Sequence, residues 1–282
     1  MTRPSSAPIG VFDSGIGGLT VLKALLAELP AERFVYLGDT ARLPYGTKTA
    51  ETVVRYSLQA AEALLDCGVK CLVVACNTAS AAGLAAIRER VHPLPVIGVI
   101  EPGAAAASRA TRHGRIAVLG TERTVSGGAY QQAILEHRAD ARIEAVAAQL
   151  FVALAEEGLG TGPIAESIAR HYLAALFDAR SAACGPRPEE PPPDTVVLGC
   201  THFPVLAPAI RAVVGPDVRI VDSAQPTARV VRETLAAAGL AATGTAGAVR
   251  FIATDGTERF ARIGSPFLGR TIRPQEVELV DL

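Results

Sequence analysis

The chain has 282 residues, of which 49% are hydrophobic and 20% are charged, and its formal net charge at pH 7 is −1. This composition supports a large buried core and argues against an intrinsically disordered protein. Because the charge is close to zero and no long run of one sign occurs, we expect neither a nucleic-acid partner nor a membrane partner.

The sequence also lacks the features of export and membrane insertion. Its first eight residues contain no apolar stretch like that of a signal peptide, and no window is long and apolar enough for a membrane span. Five cysteines, an odd number, fit free thiols in a reducing compartment better than a set of disulfide bonds. These features predict a cytoplasmic protein.

Apolar runs and helical patterns alternate from the start of the chain. A predicted strand at residues 9–12 ends in a glycine-rich turn at 13–18, and leucines at helical spacing follow it. This turn is not a dinucleotide-binding fingerprint, because Thr20 stands where the third glycine would be and no phosphate-loop lysine follows. A tight strand-to-helix connection would explain the glycines, but Asp13 would point into the ligand crevice, and we therefore favour a functional turn.

Two later strands each end in a cysteine. Residues 72–75 are apolar and run into Cys76, which is followed by small polar residues and a helical pattern. Residues 195–198 run through a glycine into Cys200, which is followed by a threonine and a histidine. Because ligands of open α/β sheets bind beyond the carboxyl ends of the strands, we expect both thiols to lie at a binding site.

The second half of the chain repeats the order of the first. A strand at 116–119 ends in a polar turn, a helix is predicted at 164–177, and a proline-rich surface connector at 186–193 precedes the second cysteine strand. Further strands are predicted at 220–222 and 249–254. This alternation favours an α/β fold with two similar lobes, each a mainly parallel sheet flanked by helices, and with the active site in the cleft between them.

Two thiols that face each other across a cleft suit proton transfer on both faces of one carbon atom. One thiolate removes a proton and the opposite thiol returns one, which is the chemistry of a racemase. A free thiol titrates near about 8.5, and a helix N-terminus lowers this pKa, so we expect poised thiolates at Cys76 and Cys200. His202 is placed to tune Cys200, and Asp13 is available to assist Cys76.

Other chemistries fit the residues less well. Cys67 and Cys71 do not form the paired spacing of a metal site with Cys76, and none of the three lysines lies beside a credible phosphate site for pyridoxal phosphate. We therefore expect neither a metal nor a cofactor, and we interpret Cys67, Cys71 and Cys184 as incidental thiols. A hydrolase built on the second cysteine motif is an alternative, as is a purely structural or regulatory binding protein.

Four motifs together resemble the glutamate racemases of the aspartate/glutamate racemase superfamily. They are GVFDSGIGGL at residues 10–19, LPYG at 43–46, ACNTA at 75–79 and LGCTHFP at 198–204. The similarity runs in order from residue 9 to the C-terminal strand. Either cysteine motif alone would indicate only the superfamily, so an aspartate or other amino-acid racemase is the alternative within this group.

The resemblance implies a cofactor-independent enzyme that interconverts L- and D-glutamate, supplies D-glutamate for peptidoglycan and forms a homodimer. It assigns proton transfer to Cys76, which acts on the D-enantiomer, and to Cys200, which acts on the L-enantiomer. Asp13 and His202 join them as catalytic residues. The substrate-contacting positions of the family fall on Asp13, Ser14, Tyr45, Gly46, Asn77, Thr78, Thr121, Thr124, Glu156, Thr201 and His202.

The resemblance also predicts how the chain is divided. The lobe with the first cysteine comprises residues 1–97 and 213–282, and the lobe with the second comprises residues 98–212. The chain departs from the family near Glu156, since relatives often have a Cys-Pro pair where this sequence has Ala148 and Gln149. The similarity is therefore weaker around Glu156 than at the cysteine motifs.

Overall fold

The computed structural model describes residues 4–177, 191–244 and 247–282. Cys184 and most of the predicted proline-rich connector lie outside these ranges. Within them, no helix is both long and apolar enough to cross a membrane.

The first of two sheets is built from strands near both ends of the chain. Its strands are β1 (Ile9–Asp13), β2 (Phe34–Gly38), β3 (Cys71–Val74), β4 (Val96–Gly98), β9 (Val249–Ala253) and β10 (Val277–Leu279). Their order is β10-β9-β2-β1-β3-β4, and every neighbouring pair is parallel. We call this sheet and its helices the first lobe.

The second sheet is built from the middle of the chain. Its strands are β5 (Arg115–Gly120), β6 (Arg142–Ala147), β7 (Thr195–Gly199) and β8 (Arg219–Asp222). They lie in the order β6-β5-β7-β8 and are also parallel throughout. This sheet and its helices are the second lobe, and the prediction of two parallel-sheet lobes is confirmed.

Helices connect the strands, as parallel pairing requires. The α-helices are α1 (Leu19–Glu28), α2 (Ala50–Asp66), α3 (Asn77–Val91), α4 (Ile100–Ala110), α5 (Glu122–Ser126), α6 (Ala129–His137), α7 (Leu150–Glu156), α8 (Pro163–Phe177), α9 (Ala207–Val214), α10 (Ala224–Ala237) and α11 (Thr257–Leu268). Short 3₁₀ turns occur at Tyr45–Thr47, Phe203–Leu206 and Pro274–Glu276.

The chain returns to the first lobe after residue 222, which is later than the predicted boundary at residue 213. Strand β8 pairs with β7, so the second sheet continues to Asp222. The apolar pair Ile220 and Val221 marks a strand, but such a pattern does not indicate which of two sheets the strand joins. The sequence also did not reveal helix α11 and strand β10, which complete the first lobe.

The central strands carry the functional turns. Every residue of β1, β3, β5 and β7 is buried, because helices cover both faces of each parallel sheet. Burying one Val, Leu or Ile side chain contributes about 1.5–3 kcal/mol, so these strand ends are held firmly in place. The turns that follow β1 and β3 in the first lobe, and β5 and β7 in the second, supply the site described below.

A buried ion pair connects the N-terminal and C-terminal segments of the chain that together form the first lobe. Lys70 is fully buried and forms an ion pair with Glu32, and its ammonium group also donates to the carbonyls of Ser5 and Leu240. The other carboxylate oxygen of Glu32 accepts from the backbone N–H of Ala242 at 2.7 Å. This lysine therefore has a structural role at the end of the sheet opposite the functional turns.

Candidate active site

The functional turns of the two lobes line a cavity whose empty space, with its opening to solvent included, is about 430 Å³. Most of the predicted site residues line it: Ser14, Tyr45, Gly46, Cys76, Asn77, Thr78, Thr121, Glu156, Cys200, Thr201 and His202. Asp13 and Thr124 lie directly behind this lining and touch residues that belong to it. Cys67 and Cys71 do not line the cavity, and Cys184 lies outside the described residues.

Cys76 stands at the N-terminus of α3, at the end of β3. Its Sγ accepts a hydrogen bond from the backbone N–H of Ala79 at 3.4 Å, and it lies 3.4 Å from the hydroxyl of Ser14. Burial raises the pKa of this thiol to about 12, and the nearby carboxylate of Asp13 adds to the increase. The raised pKa favours the neutral thiol at Cys76, in contrast to the expected thiolate, because desolvation outweighs the helix N-terminus.

Asp13 ends β1 and links the two lobes. It is fully buried; one carboxylate oxygen accepts from Gly15 N at 3.0 Å, and the other accepts from the hydroxyl of Thr201 at 3.5 Å. Burial raises the pKa of this carboxyl, although the positive charge of His202 opposes the shift. The close approach of Thr201 to the turn after β1 requires glycine at position 17, because a Cβ there would lie 2.4 Å from the Thr201 hydroxyl.

Cys200 lies at one end of a chain of polar contacts. Its Sγ is 3.8 Å from Nδ1 of His202, and Nε2 of His202 is 3.1 Å from Glu156, whose other oxygen accepts from Arg259 at 2.8 Å. Burial alone would lower the pKa of His202, but its contacts with Cys200 and Glu156 outweigh burial and raise this pKa to about 10. The raised pKa favours the imidazolium form of His202, whose Nδ1 can donate a hydrogen bond to the Cys200 sulfur.

The contacts of Glu156 with positively charged side chains favour its carboxylate form. Burial would raise the pKa of this carboxyl, but the hydrogen bonds from His202 and Arg259 lower it below its usual value. Arg259 belongs to α11 of the first lobe, whereas Glu156 ends α7 of the second. The ion pair between them therefore closes one side of the cleft.

The shifted pKa of His202 predicts how stability depends on pH. Because its pKa is raised from 6.5 to about 10 in the folded protein, the stabilisation is fully present below pH 6.5 and is lost as the pH rises through 10. We expect the free energy of unfolding to fall between pH 6.5 and 9, by at most about 1.4 kcal/mol per pH unit for this proton. In the Glu156→Gln variant the fall should be smaller, because an amide holds the proton on His202 less strongly. Urea unfolding at several pH values tests this, and equal slopes in the two proteins would contradict it.

Three hydroxyl groups form a cluster where the lobes meet. The Thr78 hydroxyl is 2.9 Å from that of Thr121 and 3.3 Å from that of Thr124, and the latter two are 3.0 Å apart. Thr121 also caps α5, since its hydroxyl accepts from the backbone N–H of Thr124. Gly46 packs directly on this cluster, because a Cβ there would lie 2.6 Å from Cβ of Thr121. The cluster offers hydroxyl donors to an anionic group in the cavity.

Asn77 presents a second donor. Its side-chain oxygen accepts from the hydroxyl of Tyr130 at 2.8 Å, while its buried side-chain nitrogen has no hydrogen-bond partner among the described residues. An unpaired buried donor is costly unless a ligand satisfies it. Because Asn77 lines the cavity, its NH₂ group is suited to bind a carboxylate.

Tyr45 contributes its ring to the wall of the cavity. Its hydroxyl donates to Asp39, a fully buried carboxylate that also accepts from Arg42 at 2.7 Å and from Thr254 at 3.0 Å. Burial and the neighbouring charge of Asp39 raise the pKa of this phenol well above its usual range. The hydroxyl is thus already engaged within the first lobe.

Sequence reasoning missed several parts of the site. Leu43, Pro44, Gln149 and Val152 line the cavity although none was predicted to bind a ligand. Of these four residues, only Gln149 had been noted in the sequence, as a departure from the family pattern near Glu156. The supporting residues Arg259 and Tyr130 carried no signal, because each is distant in sequence from the residue it contacts.

Comparisons with known proteins show the family of this chain. The chain matches the model of the Asp/Glu/Hydantoin racemase family over residues 9–231. It is 46% identical to a glutamate racemase of Geobacter metallireducens over 262 residues, which cover 93% of this chain and 92% of that protein.

Two solved structures are similar over almost their whole length. A glutamate racemase from Francisella tularensis in complex with D-glutamate is 32% identical, with a TM-score of 0.88 and 98% of each chain covered. A glutamate racemase from Thermus thermophilus in complex with β-chloro-D-alanine is 42% identical, with a TM-score of 0.85 and 99% of each chain covered.

Proposed function

Because the chain belongs to the Asp/Glu/hydantoin racemase family, we propose that it interconverts L- and D-glutamate and supplies D-glutamate for peptidoglycan. The observation that carries this proposal is the placement of Cys76 and Cys200, one from each lobe, in the lining of one cavity. The enzyme is an isomerase that uses its own two thiols as acid and base. The similarity to glutamate racemases over more than nine-tenths of the chain favours glutamate over other amino acids.

The two thiols differ in a way that suits opposite roles at the start of one turnover. The Sγ atom of Cys200 lies 3.8 Å from Nδ1 of His202, whose raised pKa makes it a hydrogen-bond donor to this sulfur, whereas burial raises the pKa of Cys76. With L-glutamate bound, the Cys200 thiolate removes the Cα proton, and the Cys76 thiol then donates its proton to the opposite face. The product is D-glutamate, and it leaves a Cys200 thiol and a Cys76 thiolate. D-glutamate reacts with the form that this turnover leaves: the Cys76 thiolate removes its Cα proton and the Cys200 thiol donates one to the opposite face.

The remaining residues bind the substrate and stabilise the carbanion between the two transfers. The unpaired NH₂ group of Asn77 and the hydroxyl cluster of Thr78, Thr121 and Thr124 offer donors to the substrate carboxylates. Donors that are fixed before the reaction stabilise the charge that develops in the transition state without reorganisation. Tight closure of the lobes excludes water from the carbanion.

A direct assay tests the proposed activity. We expect the purified protein to abolish the circular dichroism of L-glutamate as it forms the racemic mixture, with no cofactor added and after dialysis against a chelator. Within the described ranges, no three His, Cys, Asp or Glu side chains are grouped so that they could hold a metal ion. L-aspartate incubated in parallel should change far more slowly. Activity that is lost on chelation and restored by a divalent metal would contradict the two-thiol mechanism, and faster racemisation of aspartate would indicate an aspartate racemase.

We further propose that the enzyme is a cytoplasmic homodimer. Resemblance to the family supports the dimer, and the odd number of cysteines supports a reducing compartment. Light scattering after size-exclusion chromatography would establish the oligomeric state.

A further inference from the structure

Tyr130 lies between the two cysteine motifs. It belongs to α6 of the second lobe and is completely buried. Its hydroxyl reaches across to Asn77, the residue that directly follows Cys76. Its ring packs against Gly199, the residue that directly precedes Cys200, so closely that a Cβ there would lie 2.9 Å from a ring carbon. One side chain therefore touches a neighbour of each thiol.

The contact with Tyr130 determines which end of the Asn77 amide faces the cavity. A primary amide has a donor end and an acceptor end of nearly the same shape, so hydrogen-bond partners decide its orientation. The side chain of Ser223 lies on the same side of the phenol and lowers the pKa of Tyr130, against the larger effect of burial. The Tyr130 hydroxyl donates its proton to Asn77 Oδ1, and the Asn77 NH₂ group is directed away from it.

We propose that Tyr130 is a positioning residue that holds the NH₂ group of Asn77 towards a carboxylate of the bound substrate. This inference rests on the proposed function, since it assumes glutamate in the cavity. Without the phenol hydroxyl the amide can rotate, and its oxygen then faces the carboxylate and repels it. The same contact joins the two lobes beside the cavity.

The Tyr130→Phe variant isolates the hydroxyl, because phenylalanine keeps the ring packing on Gly199. We expect KM for both enantiomers of glutamate to rise on the order of fivefold to tenfold, the equivalent of one lost neutral hydrogen bond. The value of kcat should change much less, because neither thiol has moved. Tyr172→Phe is a matched control, since its hydroxyl bonds to Leu150 N on the surface of the second lobe at 3.1 Å. Both kinetic parameters of that control should stay within about twofold of the wild type.

A double-mutant cycle separates positioning from a general structural role. The equilibrium binding of D-glutamate is measured by calorimetry with Cys200→Ala present in every protein of the cycle, so that the ligand is not racemised during the titration. Tyr130→Phe should weaken binding where Asn77 is present and have no further effect in an Asn77→Ala background. An equal loss in both backgrounds, or a lowered kcat with unchanged KM, would overturn the proposal. Absence of any glutamate racemisation by the wild type would instead overturn the proposed function.

Discussion

Replacing either Cys76 or Cys200 with alanine is expected to abolish racemisation in both directions. Each thiol serves one face of Cα, and a racemase needs a proton carrier on both faces. Because one acid or base typically contributes about 10²–10⁴-fold, we expect kcat to fall on the order of 10³-fold or more in each variant. The measurement is circular dichroism of each enantiomer, with thermal unfolding to show that the fold is retained.

Cys67→Ala is the matched control for these variants. Cys67 lies outside the cavity, and its sulfur accepts only a long contact from Arg250 at 3.4 Å among the described residues. This variant should keep nearly normal activity, and we expect the same of Cys184→Ala.

The Cys76 variant also decides between racemase and hydrolase, because a hydrolase built on Cys200 and His202 does not need Cys76. Near-normal interconversion of the enantiomers by Cys76→Ala would contradict the two-thiol assignment.

The positions of both thiols could be predicted because they follow from local pattern. A continuous apolar run marks a strand of a parallel sheet, and the residue that follows it must lie at the carboxyl edge, where ligands bind. This reasoning placed Asp13, Cys76, Thr121 and Cys200 at strand ends, and the structure brings these ends together between the lobes. The same reasoning also predicted the strand β8, but a hydrophobic pattern carries no information about the partner strand, and the boundary at residue 213, which rested on the resemblance, came too early.

The electrostatics of the site could not be predicted from the sequence. Whether a thiol ionises depends on how completely the fold removes it from water, and closure of the lobes removes Cys76 almost entirely. The helix N-terminus, which the sequence did reveal, is a weaker influence at this position. The charge on His202 likewise depends on Glu156, which lies 46 residues away in the chain.

The last prediction concerns the route of the proton. If Cys200 removes the hydrogen of L-glutamate and Cys76 supplies the new one, the product receives its hydrogen from a thiol that has exchanged with solvent. In deuterated water, nearly all D-glutamate formed early in the reaction should carry deuterium at Cα. Recovered L-glutamate should stay largely protiated, because the hydrogen held on Cys200 can return to the same face.

A single base that moves between the two faces would give a different result. It would deliver the original hydrogen to the product, and a substantial part of the early D-glutamate would remain protiated. The structure argues against such movement, because Cys76 and Cys200 are both buried and end strands of separate sheets. Mass spectrometry of both enantiomers at low conversion distinguishes the two routes. Mostly protiated product would exclude Cys76 as the acid in this direction, whereas deuterated product with protiated substrate requires two separate proton carriers, each held by one lobe.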